Sequence, residues 1–270
     1  MGSTPHPYDG AMSRPVLFST AAFFARPLSE TFRLVAEAGY VGAEVMVTKD
    51  PASQDPRAMR ELADEHGLTI GALHAPSLLL TRKVWGTDPI GKIYRAIEVA
   101  HEARIPTVVM HPPYRWQMGY RRWLDERLPG LERDAGVVVA IENMFPIKGI
   151  TFHANQDLDE LDGLPDLVLD TSHAAIAKHD LIEVRQRFGD RLRHVHLSDN
   201  AGRGWDSHLP PGEGILPLDD FLDDLASNGY EGAVSLEVDL RRYLTEARRL
   251  RDVMVSMRER TEARLAVEAG

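Results

Sequence analysis

Cysteine is absent from this chain of 270 residues. Its absence excludes disulfides, thiolate nucleophiles and cysteine-ligated zinc or iron–sulfur sites, so any metal must be bound by nitrogen and oxygen. Long apolar runs are missing as well, and none approaches the about 20 residues that span a bilayer. The first residues lack the charged-then-apolar pattern of a signal peptide. We therefore expect a cytoplasmic protein without a membrane partner.

Positive charge is scarce relative to negative charge. The chain has 31 Lys and Arg residues against 41 Asp and Glu residues, and its net charge is −10. It lacks the basic footprint of most nucleic-acid-binding proteins, and we expect no nucleic-acid partner.

The length of the chain suits one α/β barrel, although two smaller domains would also fit. Residues 1–13 are rich in Gly, Ser, Pro and His and are predicted to be a disordered leader or a cloning remnant. We assign residues 14–270 to a single domain.

Short apolar runs alternate along the chain with stretches of helical period. Continuous apolar character is typical of parallel strands that are covered on both faces of the sheet. The predicted strands are Val16–Phe24, Gly42–Val47, Thr69–His74, Thr107–His111, Val137–Glu142, Leu167–Asp170, Leu192–Leu197 and Ala233–Val238. Eight strands that alternate with helices favour a single (β/α)8 TIM barrel over an open doubly wound sheet.

The predicted helices are amphipathic. Leu218–Leu225 places its apolar side chains on one face, and Asp88 is the predicted N-cap of the third helix. A short helix is predicted near Asp157–Leu161, and a long charged helix runs from beyond Tyr243 to near Ala269.

Side chains that can bind a metal collect where the predicted strands end. They are His74, His111, Glu142, Asp170, His173, His196, Asp206, His208 and Glu237. The carboxyl ends of barrel strands form one rim, where catalytic residues normally lie. A single such residue is more often an ordinary polar group at the start of a loop. The collected carboxylates, however, would repel one another without a cation, so the set predicts a metal site.

The other histidines carry weaker signals. His194 is predicted to pack in a lower layer of the barrel, and His66 and His101 to lie on helix surfaces. His153 falls in an irregular loop, where packing is favoured over contact with substrate.

Six short strings at these strand ends resemble the xylose isomerase-like barrel superfamily, which contains sugar and sugar-phosphate isomerases and epimerases together with endonuclease IV. The strings are Leu73–Pro76, Val109–Pro112, Ala140–Asn143, Leu169–His173, His194–Asp199 and Ser235–Glu237. The resemblance extends from about Val16 to Val238.

The resemblance implies a metal shared across the superfamily. Its ligands would be two glutamates, an aspartate and a histidine, which are Glu142, Asp170, His196 and Glu237 here. In endonuclease IV two further zinc ions are bound, and the matching positions are His74 and His111 for one and His173, Asp206 and His208 for the other. Zinc or manganese is expected, with magnesium or cobalt as alternatives.

Departures from the endonuclease pattern favour the sugar isomerase branch. Ser77 and Leu78 stand where the endonucleases have a tyrosine-bearing loop that enters DNA. The segment Tyr114–Trp123 is the nearest approach to a basic-aromatic patch, and it would equally suit a helix that docks on the barrel. The glycine-containing loop Ser198–Arg203 resembles sugar isomerases, and Arg203 and His173 are candidate substrate contacts.

The resemblance implies an isomerase or epimerase of a small sugar, sugar phosphate or related keto or hydroxy compound. Glu142 and Glu237 would exchange a proton with substrate through a metal-stabilised enediolate. The alternatives are an endonuclease IV-like zinc hydrolase acting at abasic DNA, a keto-cyclitol dehydratase, and a non-catalytic binder. The partner would be a small polyhydroxylated molecule, and a homo-oligomer is left open.

Overall fold

The computed structural model describes residues 14–76, 81–154 and 156–266. Its parallel strands form a closed barrel, in which each strand pairs with the next and the last pairs with the first. The strands are β1 (Val16–Ser19), β2 (Gly42–Met46), β3 (Thr69–His74), β4 (Thr107–Met110), β5 (Val138–Glu142), β6 (Leu167–Asp170), β7 (Leu192–Leu197) and β8 (Ala233–Leu236). The predicted (β/α)8 TIM barrel is confirmed. Residues 1–13, the predicted leader, lie outside the described residues.

The helices surround the barrel. They are α1 (Leu28–Glu37), α2 (Pro56–His66), α3 (Pro89–Ala103), α4 (Met118–Glu126), α5 (Leu128–Ala135), α6 (Leu158–Leu161), α7 (Thr171–Ile176), α8 (Leu181–Phe188), α9 (Leu218–Ser227) and α10 (Ala247–Leu265). Asp88 caps α3 as predicted, because its carboxylate accepts hydrogen bonds from the N–H groups of Ile90 and Gly91. Within the described ranges, no helix combines the length and apolar character that crossing a membrane requires.

Several strands are predicted to extend too far, since the fourth ends at Met110 and the eighth at Leu236. The first strand does not reach Phe24, because Thr20–Phe23 form a 3-10 helix. The Ser19 hydroxyl begins that turn by accepting a hydrogen bond from the N–H of Ala21. The last helix is described as Ala247–Leu265, and Ala269, near which it was predicted to end, lies outside the described residues.

The interior of the barrel is layered. Ala72, Val109, Ala140 and Val168 form a small buried cluster of their own, apart from the main core between sheet and helices. Side chains two positions further along a strand point to the same side, one layer higher. That next position is occupied by His74 on β3, Glu142 on β5 and Asp170 on β6, and by His111 directly after β4. The alternation of the strands therefore aims these groups into the mouth of the barrel.

Candidate metal centre

Glu142 stands at the middle of the cluster. Its Oε2 atom lies 3.0 Å from Nε2 of His111 and 3.6 Å from Nε2 of His74. Its Oε1 atom lies 3.2 Å from Nδ1 of His196 and 3.3 Å from Nδ1 of His173. One carboxylate at the end of β5 thus meets imidazoles from four strands or their loops.

A second group surrounds His196 on β7. Its Nδ1 atom lies 2.9 Å from Glu237 Oε2, 3.2 Å from Glu142 Oε1 and 3.9 Å from Asp170 Oδ2. Ligand atoms bound to a common metal are roughly 3.0–3.5 Å apart. Of the four residues that the family resemblance assigns to a shared metal, His196, Glu142 and Glu237 are spaced about as ligands would be, and Asp170 lies somewhat farther away.

The third group lies toward the loop after β7. Asp206 Oδ2 is 2.8 Å from Nε2 of His208 and 3.4 Å from Nε2 of His173. The other oxygen of Asp206 accepts a hydrogen bond from Ser172. All nine predicted side chains are thus brought together at one end of the barrel. That they bind metal stays a prediction.

Several buried carboxylate oxygens of the cluster indicate whether it fits a cation. Glu142 Oε2, Asp170 Oδ2 and Glu237 Oε2 are buried and accept no hydrogen bond from the described residues. Burying an oxygen of an ionised carboxylate without a hydrogen bond or a cation is costly. All three belong to the group around His196, so the residues present there fit a divalent metal.

The pKa values of the carboxylates reflect competition between burial and charge. Burial would raise the pKa of Glu142, but the imidazoles of His111 and His196 lower it well below its ordinary value. The pKa of Glu237 is lowered as well, because the imidazole of His196 outweighs burial. Asp170 behaves differently, since burial raises its pKa to about 6.

The histidines respond in the opposite sense. Burial would lower the pKa of His173, but Asp170 and Asp206 raise it to about 10. The pKa of His196 is likewise raised well above its ordinary value, because nearby glutamates outweigh burial. Protons on these imidazoles therefore balance the carboxylates when no cation does so.

Backbone and amide groups hold the ligands in place. Asn143 follows β5, and its Oδ1 accepts a hydrogen bond of 2.7 Å from the N–H of Asp170, while its Nδ2 donates to the carbonyl of Asp170. His173 donates from Nδ1 to the carbonyl of Asn143 at 2.8 Å. The ends of β5 and β6 are thereby joined just below the centre.

Comparison with known proteins places this architecture. The family model for the xylose isomerase-like TIM barrel matches residues 32–260. The chain belongs to this family. An uncharacterized protein of Mycobacterium tuberculosis is 35% identical over 243 residues, which cover 82% of this chain and 87% of the relative.

Solved structures agree on the fold. A D-tagatose 3-epimerase-like protein gives a TM-score of 0.67 at 24% identity and covers 91% of this chain and 98% of its own. The IolI protein with a bound zinc atom gives a TM-score of 0.71 at 18% identity and covers 93% and 98%. At these identities the likeness shows that the family fold is shared.

Two cavities flank the centre of this family member. One, of about 360 Å³, is bordered by His111, His153, Tyr114 and Trp116. The other, of about 480 Å³, is bordered by His208, Glu237, Phe24 and Arg26. The cluster therefore lies between two cavities, each of which is bordered by residues of the cluster.

His153 is packed, as the sequence favoured, and it also borders one of these cavities. Its side chain is buried, it donates from Nδ1 to the carbonyl of Pro112 at 3.0 Å, and its ring lies 4.5 Å from that of Tyr114.

Glu44 is a member of this cluster that the sequence patterns do not indicate. This residue of β2 is fully buried and lies 2.7 Å from His194 and 3.1 Å from His196. A glutamate inside the apolar run Gly42–Val47 was the available signal. His194 is buried below the rim, as its position on β7 predicted.

Other candidates lie apart from the cluster. Arg203 is exposed in the loop after β7 and borders neither cavity, so its contact with substrate stays a prediction. The aromatic segment divides: Tyr120 and Trp123 are buried against the barrel, whereas Trp116 is 65% exposed and stacks on Tyr114. Ser77 and Leu78 lie outside the described residues.

Proposed function

We propose that the protein is a divalent-metal-dependent isomerase or epimerase of a small polyhydroxylated carbonyl compound, such as a sugar or sugar phosphate. The group around His196 carries this proposal, because three carboxylates face one imidazole nitrogen and each has a buried oxygen that accepts no hydrogen bond from the described residues. Glu142, Asp170, His196 and Glu237 would hold the cation. This donor set suits zinc or manganese, and magnesium or cobalt are compatible with its carboxylates.

The two glutamates would carry the proton. A bound cation supplies Lewis-acid polarisation of the substrate carbonyl, which acidifies the neighbouring C–H group. Glu142 ends β5 and Glu237 follows β8, so the two carboxylates approach His196 from different strands, with β6 and β7 between them. Both pKa values are lowered, so both groups are ionised at neutral pH and either can accept the proton first. Removal by one and return by the other would invert the carbon atom.

The cavity beside His153 offers both aromatic and polar contacts to a sugar. The stacked rings of Tyr114 and Trp116 lie 4.8 Å apart and border the cavity that also contains His153. Exposed aromatic rings pack on apolar C–H faces, and the imidazole of His153 offers a polar group beside them. A polyhydroxylated molecule would thus find both kinds of contact next to the centre.

Phosphodiester hydrolysis at abasic DNA is the second candidate. The groups His74–His111–Glu142 and His173–Asp206–His208 favour it, because they would hold two further zinc ions. Against it, Tyr120 and Trp123 are buried on the barrel and cannot stack on bases. Arg115 is engaged by Glu160 at 3.2 Å, so it is not a free phosphate contact.

The deciding experiment is hydrogen–deuterium exchange at the carbon next to the carbonyl. The zinc- or manganese-loaded protein would be incubated in D2O with a panel of ketoses, aldoses and their phosphates, and followed by proton NMR. We expect exchange with at least one sugar, and loss of exchange in Glu142→Gln and Glu237→Gln. Glu61→Gln, an exposed glutamate of α2, is the matched control and should retain the wild-type rate.

The same preparation would be tested on a duplex that contains an abasic site, with a chelator control. Nicking of that duplex without exchange in any sugar would favour the hydrolase. Neither exchange nor nicking by metal-loaded protein would contradict both enzyme proposals and favour a non-catalytic binder. Exchange accompanied by loss of water would redirect the proposal to a dehydratase.

A further inference from the structure

Glu44 lies inside the barrel without any exposed surface. It pairs in register with Ser19 of β1 and Ala72 of β3, and Ala72 belongs to the layer below the metal-capable rim. Desolvation of an ionised carboxylate at this depth costs roughly several kcal/mol, and only well-placed hydrogen-bond or charged partners offset that cost. The partners of Glu44 therefore indicate what it does.

Those partners are two imidazoles of β7. Glu44 Oε2 lies 2.7 Å from Nε2 of His194 and 3.1 Å from Nε2 of His196. An ionised carboxylate only accepts hydrogen bonds, so both Nε2 atoms carry a proton and donate it. His196 consequently turns its other nitrogen, Nδ1, toward Glu142 and Glu237.

His196 donates its outer hydrogen bond from the opposite ring nitrogen to that used by other histidines of the centre. His74, His173 and His208 each place Nδ1 within 3.0 Å of a backbone carbonyl oxygen. Carbonyl oxygens accept, so these rings donate from Nδ1 and leave Nε2 for the centre. For His196 the donating nitrogen is Nε2, and the acceptor is the side chain of Glu44 on another strand.

We propose that Glu44 is a positioning residue of the metal centre, which fixes the tautomer and the orientation of His196 so that Nδ1 faces the cation. His194, bonded to the same oxygen, holds Glu44 in place from the side. The inference rests on the proposed metal-dependent function. A carboxylate that accepts from a ligating imidazole also makes the ligating nitrogen more basic, and its loss weakens metal binding about 10–100-fold.

The test is a zinc titration of the full chain against a competing chelator. Glu44→Leu removes both acceptor oxygens at similar volume, and Glu44→Gln keeps one acceptor but removes the charge. Ser235→Ala is the matched control, because Ser235 is buried, lies in register with His196 and has a hydroxyl that finds no hydrogen-bond partner among the described residues. We expect zinc affinity to fall about 10–100-fold in Glu44→Leu, less in Glu44→Gln, and not at all in Ser235→Ala.

Nitrogen-15 NMR of the imidazoles gives a second measurement that is independent of activity. In zinc-loaded wild type the His196 ring should carry its proton on Nε2, and in both Glu44 variants that Nε2 signal should shift, most in Glu44→Leu. A merely structural Glu44 would alter thermal stability and leave zinc affinity and this tautomer unchanged.

The outcomes separate this inference from the function on which it rests. Wild-type zinc affinity in a folded Glu44→Leu protein would overturn the inference. If that variant does not fold, wild-type affinity and an unshifted His196 signal in Glu44→Gln would overturn it equally. Failure of the wild-type protein itself to bind a divalent metal would contradict the proposed function instead.

Discussion

At the scale of single residues, Glu142 and Glu237 are not equivalent. Glu142 lies within 3.6 Å of imidazoles from His74, His111, His173 and His196, whereas Glu237 contacts His196 with its side chain. We therefore expect Glu142→Gln to retain less metal than Glu237→Gln after dialysis. The loss of metal affinity should exceed the factor of about 10–100 that results when a hydrogen-bond partner of a ligand is removed. Elemental mass spectrometry measures it, and equal metal content in the two variants would contradict the central role of Glu142.

Protonation of two neighbouring histidines predicts how metal binding depends on pH. The pKa of His173 is about 10 and that of His196 is raised, so both imidazoles are protonated at neutral pH without a cation. A cation must displace these protons, so its affinity should rise with pH, about tenfold per unit for each proton released. The number of protons released is measured by calorimetry of zinc binding in buffers of different ionisation enthalpy. Heats that do not depend on the buffer would contradict this prediction.

At the scale of elements, Asn143 joins the ends of β5 and β6. Its amide makes two hydrogen bonds with the backbone of Asp170, one of 2.7 Å from a buried N–H group. We expect Asn143→Ala to lower the free energy of unfolding by about 1–3 kcal/mol, because that N–H is left without an acceptor. Denaturant titration measures the change. Asn228→Ala, at the exposed end of α9, is the control, and an equal loss there would refute a special role for Asn143.

Sequence periodicity predicted the elements better than it predicted the site. Buried strands such as Leu192–Leu197 were bounded correctly, since period and burial agree there. The apolar pattern extends the first strand too far, because Thr20–Phe23 is apolar enough to resemble a strand, whereas its turn depends on the cap at Ser19. Glu44 could not be assigned, because its role depends on a contact with β7 about 150 residues away. Such contacts follow from closure of the barrel, which local patterns do not encode.

At the scale of the whole molecule, closure of the barrel brings several negative charges together at its mouth. The strands carry Glu142, Asp170 and Glu237 to one buried mouth, in a chain whose net charge is already −10. Each carboxylate is attached to a different strand end, so their repulsion acts against closure itself. A cation among them would relieve that repulsion and would bind the folded chain in preference to the unfolded one.

Removal of metal should therefore destabilise the whole barrel cooperatively. A ligand present at a hundredfold its Kd stabilises the folded state by about 2.7 kcal/mol, so dialysis against a chelator should lower the Tm by several degrees, about 2–4 °C for each kcal/mol lost. Addition of zinc or manganese should restore it, and Glu142→Gln should respond less to either treatment. Calorimetry of the treated and reloaded protein measures these shifts. A Tm that is the same with and without one equivalent of bound metal would mean that the strand ends tolerate their charge unaided, and that the protons on His173 and His196 suffice to close the barrel.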